Sequence, residues 1–160
     1  MSLWLTHLLG SWTSWYSNSA MLRTSVGFVH VAGLVAGGGS AIAADRATLV
    51  AWGRDVESRL AHLRVLRGTH RVVLVGLAAV FASGLLLLGA DTETYLHSRV
   101  FWAKMALIAL LLVNGAMLVR AGRRAEHGAP NAWPWLRFGS MASLALWFLT
   151  TLLGAALPNV

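Results

Sequence analysis

The chain has 160 residues, 57% of them hydrophobic and 12% charged, and its mean hydropathy is +0.64. Because soluble domains carry about 25% charged residues, this composition indicates an integral membrane protein whose main partner is the lipid bilayer. The sequence has no cysteine, which excludes disulfides, iron–sulfur clusters and thiolate metal sites. The net charge of +7 arises from basic residues that, with one exception, lie between or beside apolar runs and thereby determine topology, so nucleic acid is not an expected partner.

Residues 1–20 are predicted to form a short amphipathic helix at the membrane interface. Trp4, Trp12, Trp15 and Tyr16 are mixed with serine, threonine and leucine, a composition that suits the headgroup region better than the hydrocarbon core. The apolar stretch is short and no basic stretch precedes it, so a cleaved signal peptide is the less suitable interpretation.

Four longer apolar runs follow, each close to the roughly 20 residues that a spanning helix requires. They predict an all-α membrane protein in which residues 21–160 form a single domain, an up-down bundle of four transmembrane helices. The predicted spans lie at about Leu22–Ala44, Val72–Ala90, Val100–Val119 and Phe138–Leu157.

The three connections between these spans differ in charge. The first (Asp45–Arg71) and the third (Arg120–Arg137) together contain ten arginines, whereas the second (Asp91–Arg99) contains one. Because lysine and arginine are enriched in cytoplasmic loops, both termini and the second connection are predicted to face away from the cytoplasm.

The connections also contain local structural signals. Apolar positions in the first connection recur at helical spacing, which predicts an amphipathic helix or an inward extension of a spanning helix. His62 and His70 lie among the arginines of this connection, where an exposed surface facing lipid phosphates is expected. In the third connection, Gly128, Pro130 and Pro134 predict a loop.

Small residues predict how the helices pack. Gly33 and Gly37 form a GxxxG pattern on one face of the first span, and such a pattern lets helix backbones approach closely in lipid. The second and fourth spans have comparable faces, so the bundle interior is predicted to consist of glycine, alanine and serine, with leucine, valine and phenylalanine turned to lipid. These two faces contain Gly76, Ala79, Ser83 and Ala90, and Gly139, Ser143, Thr150 and Gly154.

Ionisable side chains inside a span are functional candidates because their transfer into hydrocarbon is costly. His30 lies eight residues inside the first span, about 12 Å from its outer end. Three roles are open for it: a packing histidine that hydrogen-bonds a neighbouring helix, an axial ligand of a haem or a ligand of a metal ion, or a proton relay. His97, at the start of the third span, is either a second ligand or a solvated loop residue.

Lys104 and Asn114 lie in the third span. Lys104 is four residues inside it, so its side chain either extends to the headgroups or turns into the bundle. A stripe shared with His97 and Gly115 favours the inward direction if the helix begins near His97. No acidic residue lies within the predicted spans, so an inward Lys104 would need an anionic ligand or a loop carboxylate. Asn114 is predicted to form an interhelical hydrogen bond.

In chain order, these features form a spaced pattern. It consists of Phe28–Gly33 around His30, then Ser83-Gly84, Tyr95–Met105 and Val113–Ala116, followed by clustered arginines. Over about Phe28 to Arg124, the pattern resembles the bacterial four-helix membrane proteins grouped around the copper-resistance D (CopD) domain and, more distantly, the HemJ type of protoporphyrinogen oxidase. The HemJ resemblance implies that His30 and Lys104 form a functional pair, and the CopD resemblance implies copper passage. Both imply a multi-pass protein of the bacterial inner membrane.

The leading hypothesis is that the outer half of the bundle binds a b-type haem or related tetrapyrrole, for electron transfer or tetrapyrrole redox chemistry. His30 would be the metal ligand and His97 a second ligand, while Lys104 would pair with a propionate. Gly33 and Gly37 would let the flat ring approach the helix backbone. A membrane redox partner is expected in this case.

Two alternatives stay open. In the first, the protein is a small transporter or copper-handling protein in which His30, Lys104 and Asn114 line a polar pathway. In the second, it is a non-catalytic subunit or assembly factor whose small helix faces contact a larger membrane complex.

Overall fold

The computed structural model describes residues 3–157, and this part of the chain consists of helices joined by short connections, with no strand. Residues Leu34–Gly38 form a π-helical turn that joins the second and third helices into one continuous rod, Ala20–Ala51. The helices are α1 (Leu3–Asn18), α2 (Ala20–Gly33), α3 (Gly39–Ala51), α4 (Val56–Ala90), α5 (Thr92–His97), α6 (Arg99–Glu126) and α7 (Ala132–Ala156).

Within residues 3–157, four helical segments are long and apolar enough to cross a membrane, as the hydropathy pattern predicts. They are longer than expected: the rod formed by α2 and α3 runs to Ala51, and α4 begins at Val56. The first connection is therefore mostly an inward extension of the two spanning helices. The four segments are Ala20–Ala51, Val56–Ala90, Arg99–Glu126 and Ala132–Ala156.

Side-chain caps fix the start of α4. The Asp55 carboxylate accepts hydrogen bonds from the backbone N–H of Ser58, at 3.0 Å, and from its hydroxyl, at 2.7 Å. These bonds satisfy a donor that the first helical turn leaves free, and they lower the pKa of Asp55. A short segment of four residues, 52–55, thus separates the end of α3 from the start of α4.

The third connection is shorter than predicted. Only residues 127–131 separate α6 from α7, with Gly128 at a φ of +74°. Pro134 was expected in the loop but lies in the first turn of α7. This position tolerates proline because first-turn N–H groups have no partner within the helix.

The second connection contains an additional helix. Asp91 caps α5 by accepting from Thr94 N at 3.3 Å, and Ser98 caps α6 by accepting from Phe101 N at 3.3 Å. The third spanning helix therefore begins at Arg99, not near His97. The condition under which His97 and Lys104 would share one stripe, a helix that begins near His97, is not met, because the chain leaves helical geometry at Ser98.

The rod formed by α2 and α3 contacts α4 and α7, and α6 packs along α7. The contact with α4 is between backbones: a Cβ at Gly76 would lie 2.5 Å from Gly37 Cα and 2.8 Å from the Gly33 carbonyl oxygen. Gly38, which follows Gly37 in the chain, faces α7 instead, and a Cβ at Gly38 would lie 3.0 Å from the Trp147 ring. The glycines within and next to the π turn thus allow this rod to contact two neighbours closely.

The outer surface of these helices is apolar, as predicted from their small faces. Large side chains such as Phe28, Phe81 and Phe148 are exposed, whereas Gly33, Gly37 and residues of the α7 small face are buried. Packing in this bundle therefore depends on close backbone contact, since lipid tails are as apolar as the exposed side chains.

The N-terminal helix α1 lies against the end of α4. Trp12 Nε1 donates to the Leu86 carbonyl at 2.9 Å, and Arg23 donates to the Tyr16 and Ser17 carbonyls at the end of α1. Its interfacial position stays a prediction, and residues 1–2 of that segment and 158–160 of the predicted domain lie outside the described range.

Candidate functional site

His30 is half-buried between α2 and α4, and a hydrogen bond fixes its ring. Its Nδ1 lies 3.0 Å from the Ser83 hydroxyl oxygen, and that oxygen lies 2.6 Å from the Ala79 carbonyl. The Ser83 hydroxyl donates to the carbonyl, since a carbonyl can only accept, so its oxygen accepts from Nδ1–H of His30. The proton is therefore assigned to Nδ1, and Nε2 has a free lone pair.

This arrangement is the one that a ligating histidine needs. Protein ligands to a metal commonly donate their second ring N–H to a hydroxyl, carboxylate or carbonyl, which fixes the tautomer and the direction of the lone pair. The Ser83 side chain is only 2% exposed, so its bond to His30 is shielded from water. The same geometry would let Nε2 accept a proton.

Lys104 turns into the bundle. On α6 it shares a face with Phe101 and Leu111, both buried, and its ammonium lies 3.2 Å from the position that a Cβ of Gly154 would occupy. The Lys104 charge is close enough to act on the His30 ring. His30 and Lys104, predicted as a pair, thus lie in the same part of the molecule. Together with Ser83, Gly84 and Gly154 they form what we term the histidine site.

Gly84 is a residue of this site that the search for helix faces missed. A Cβ at Gly84 would lie 3.6 Å from His30 Cε1, which makes Gly84 the glycine beside the imidazole. Gly33 and Gly37 instead lie against the α4 backbone at Gly76. The pair Ser83-Gly84 was the sequence signal, because one residue orients the ring and the next lies against it.

His97 is exposed and lies outside this cluster. It belongs to α5, where its Nδ1 lies 2.8 Å from the Glu93 carbonyl of the same helix. Asn114 forms the predicted interhelical bond, with Nδ2 donating to the Gly139 carbonyl on α7 at 3.0 Å.

Asp45 is the functional candidate that sequence inspection missed. The expectation that the spans contain no acidic residue is wrong because the first spanning helix continues past residue 44 and buries Asp45, leaving it 6% exposed. The carboxyl group lies near the hydroxyls of Ser143 and Ser140 on α7. The Ser140 hydroxyl is fully buried and, within the described residues, forms no hydrogen bond of normal geometry.

A second polar contact lies one turn further along α3. The Thr48 hydroxyl lies 3.0 Å from the Ala44 carbonyl, to which it donates, and 2.9 Å from His62 Nε2, from which it accepts. His62 is half-buried, so the expectation of an exposed position is wrong. We refer to Asp45, Ser140, Ser143, Thr48 and His62 as the aspartate cluster.

Stacked cations border the aspartate cluster. The Arg59 guanidinium lies 5.8 Å from the Trp52 ring centre and 5.2 Å from that of Trp133, while the Arg137 guanidinium lies 5.5 Å from Trp52. Arg59 also donates to the Trp52 carbonyl. These contacts join the ends of α3, α4 and α7 where the arginines of the first and third connections lie.

The described residues contain no group of three or more histidine, aspartate or glutamate side chains that could hold a bare metal ion. The histidine site therefore offers one imidazole ligand rather than a complete coordination sphere. A metal inside a macrocycle needs only one or two protein ligands, and this site can supply one of them, the His30 imidazole.

No family model, curated protein or solved structure matches this chain. Membership of the CopD-like or HemJ-like proteins stays a prediction from the spaced residues.

Proposed function

We propose that the histidine site binds a b-type haem or related tetrapyrrole, with His30 Nε2 as the axial ligand. The observation that supports this proposal is the Ser83 hydrogen bond, which places the proton on Nδ1 and leaves Nε2 able to coordinate. Ligation would use the Nε2 lone pair that this tautomer leaves available.

Lys104 supports the same assignment. An inward ammonium requires a counter-charge, and the carboxylates of a tetrapyrrole would supply it at the depth of Lys104. The Gly33–Gly37 surface fits less well, because the α4 backbone already covers it.

When bound, such a group supplies one-electron redox chemistry, which matches a role in electron transfer or tetrapyrrole oxidation. The residues of this chain have three tasks. His30 holds the metal, Ser83 orients the imidazole, and Lys104 pairs with an anionic substituent. His97 is not one of these residues, because it belongs to α5 and lies outside the histidine site.

Replacing His30 with alanine is expected to abolish the Soret band of protein purified from a haem-sufficient host, because the axial ligand is lost. Ser83→Ala is expected to weaken retention of the pigment by about 10- to 100-fold, the usual effect of losing the group that orients a ligand. Absorption spectra and pigment-to-protein ratios measure both effects, with circular dichroism to verify folding.

His127→Ala is the matched control, since His127 is exposed and lies 2.7 Å from the Arg123 carbonyl of its own helix. It is expected to keep the parent spectrum. A colourless parent protein, or an unchanged spectrum in His30→Ala, would contradict the proposal.

A second candidate function is a polar pathway for protons or small cations. The observation that favours it is the buried Asp45, which faces buried hydroxyls on the same α7 face as Thr150 and Gly154. Among the described residues, the Ser140 and Thr150 hydroxyls form no hydrogen bond of normal geometry, so either could bind a transported ion or water. Copper handling is less suited, because sulfur and clustered imidazole ligands are absent from this face.

We also propose an up-down bundle in a bacterial inner membrane, with the arginine-rich end in the cytoplasm and both termini outside. The ten-to-one distribution of arginine supports this orientation. In this cysteine-free chain, Thr94→Cys should react with a membrane-impermeant thiol reagent added to intact cells, and Glu57→Cys should react only after lysis. The opposite labelling pattern would reverse the orientation.

A further inference from the structure

A cavity of about 640 Å³ lies between α6 and α7 at the arginine-rich end of the bundle, apart from the histidine site and the aspartate cluster. Its walls come from residues 114–124 of α6, the 127–131 connection and the first two turns of α7. None of the residues that line it is acidic.

One side of this cavity is positively charged. Arg120 and Arg124 are four residues apart on α6, so they lie on the same helix face, and both line the cavity. Asn131 lines it as well and precedes α7 without forming a side-chain cap, so the partial positive charge of the α7 N-terminus adds to the arginines. The cavity mouth therefore favours a negatively charged group.

Further into the bundle, the cavity is apolar and open to lipid. Met117 and Phe138 line the cavity and are 43% and 65% exposed, and Trp135 lines it near the arginines with 55% exposure. A tryptophan at this level is typical of the boundary between headgroups and hydrocarbon. A ligand that fills the whole cavity must therefore combine an anionic head with an apolar tail.

We propose that this cavity binds one anionic phospholipid from the surrounding membrane. Its phosphate would lie between Arg120 and Arg124, and an acyl chain would follow Met117 and Phe138. Charge complementarity favours phosphatidylglycerol or cardiolipin over a zwitterionic lipid, because basic pockets between spanning helices select anionic headgroups.

The proposal can be tested by native mass spectrometry of the purified protein with added phosphatidylglycerol or phosphatidylcholine. The parent protein is expected to retain one phosphatidylglycerol at least 10-fold more strongly than phosphatidylcholine. The double variant Arg120→Gln/Arg124→Gln is expected to lose this preference. The matched control Arg64→Gln/Arg71→Gln removes the same charge from exposed positions on α4 and is expected to keep it.

Equal retention of the two lipids, or the same loss in both double variants, would overturn the proposal, the latter result indicating nonspecific attraction. In a second experiment, inorganic phosphate at millimolar concentration is added to the protein with bound phosphatidylglycerol. If it displaces phosphatidylglycerol completely, the site recognises a free anion and the acyl-chain part of the proposal is wrong. Unchanged helicity of the variants by circular dichroism excludes unfolding as the cause, and binding of pigment is scored separately.

Discussion

Replacing Gly76 with leucine is expected to destabilise the bundle by about 3 kcal/mol or more, the upper part of the range for overpacking in a close-packed interior. Even a Cβ at this position would lie 2.5 Å from Gly37 Cα and 2.6 Å from Gly37 N. Both are backbone atoms, so no side-chain rotation can relieve the contact. The two helices must separate, and the polar contact between His30 and Ser83 two turns away would separate with them.

Reversible unfolding in detergent with increasing dodecyl sulfate, followed by circular dichroism, measures this effect. Gly27→Ala and Gly115→Ala are the controls, because nothing lies within 4 Å of a Cβ at either glycine. Each should be neutral or stabilising by up to about 1 kcal/mol, since alanine is the better helix former. If Gly76→Leu unfolds at the same detergent concentration as Gly27→Ala, the α2–α4 contact is not a packing interface.

The helix contacts could be predicted from sequence because small residues have a simple consequence in lipid. The Gly33–Gly37 pattern and the Gly76 face follow from spacing, and the Asn114 bond follows from a polar side chain within a span. Each forms the interhelical contact expected of it. Spacing could not identify which neighbour each glycine meets. That depends on the π turn, which directs Gly37 to α4 and Gly38 to α7.

Asp45 was missed for a different physical reason. The predicted first span ended at Ala44 because an acidic residue and Arg46 interrupt the apolar run, yet the helix continues as far as Ala51. Burial of Asp45 depends on Ser140 and Ser143, which are distant in sequence and meet it only across the bundle. A hydropathy window reports the cost of a charge in lipid but contains no information about a polar partner on another helix.

Helix periodicity was also insufficient for His97. Its distance of seven residues from Lys104 would place both on one face only in an unbroken helix, and the Ser98 cap breaks it. Lys104 itself lies on the same α6 face as Phe101 and Leu111, both of which are buried.

Substitutions of Lys104 distinguish most sharply between two roles of its side chain, reaching the headgroups or pairing with a bound anion. If it pairs with a tetrapyrrole carboxylate, Lys104→Ala should lower pigment retention by about 10-fold or more, as expected for a charged hydrogen bond of 1.5–3 kcal/mol. Lys104→Arg should restore retention only in part, because its planar fork does not replace a compact ammonium next to Gly154. Equal pigment content in the parent and both variants would show that the Lys104 charge needs no ligand.

Asp45→Asn is the matched comparison for this experiment. Asp45 is also ionisable and lies on the same rod as His30, but fifteen residues away, about 22 Å along the helix. A role confined to the histidine site predicts that Asp45→Asn keeps the full pigment content, whereas Lys104→Ala does not. A polar pathway predicts the converse in proteoliposomes: Asp45→Asn should abolish any proton or cation flux of the parent protein, because the amide cannot exchange a proton or neutralise a cation. Loss of pigment in Asp45→Asn with unchanged helicity would contradict a separation of the two sites, and it would show that the aspartate cluster and the histidine site act as one unit.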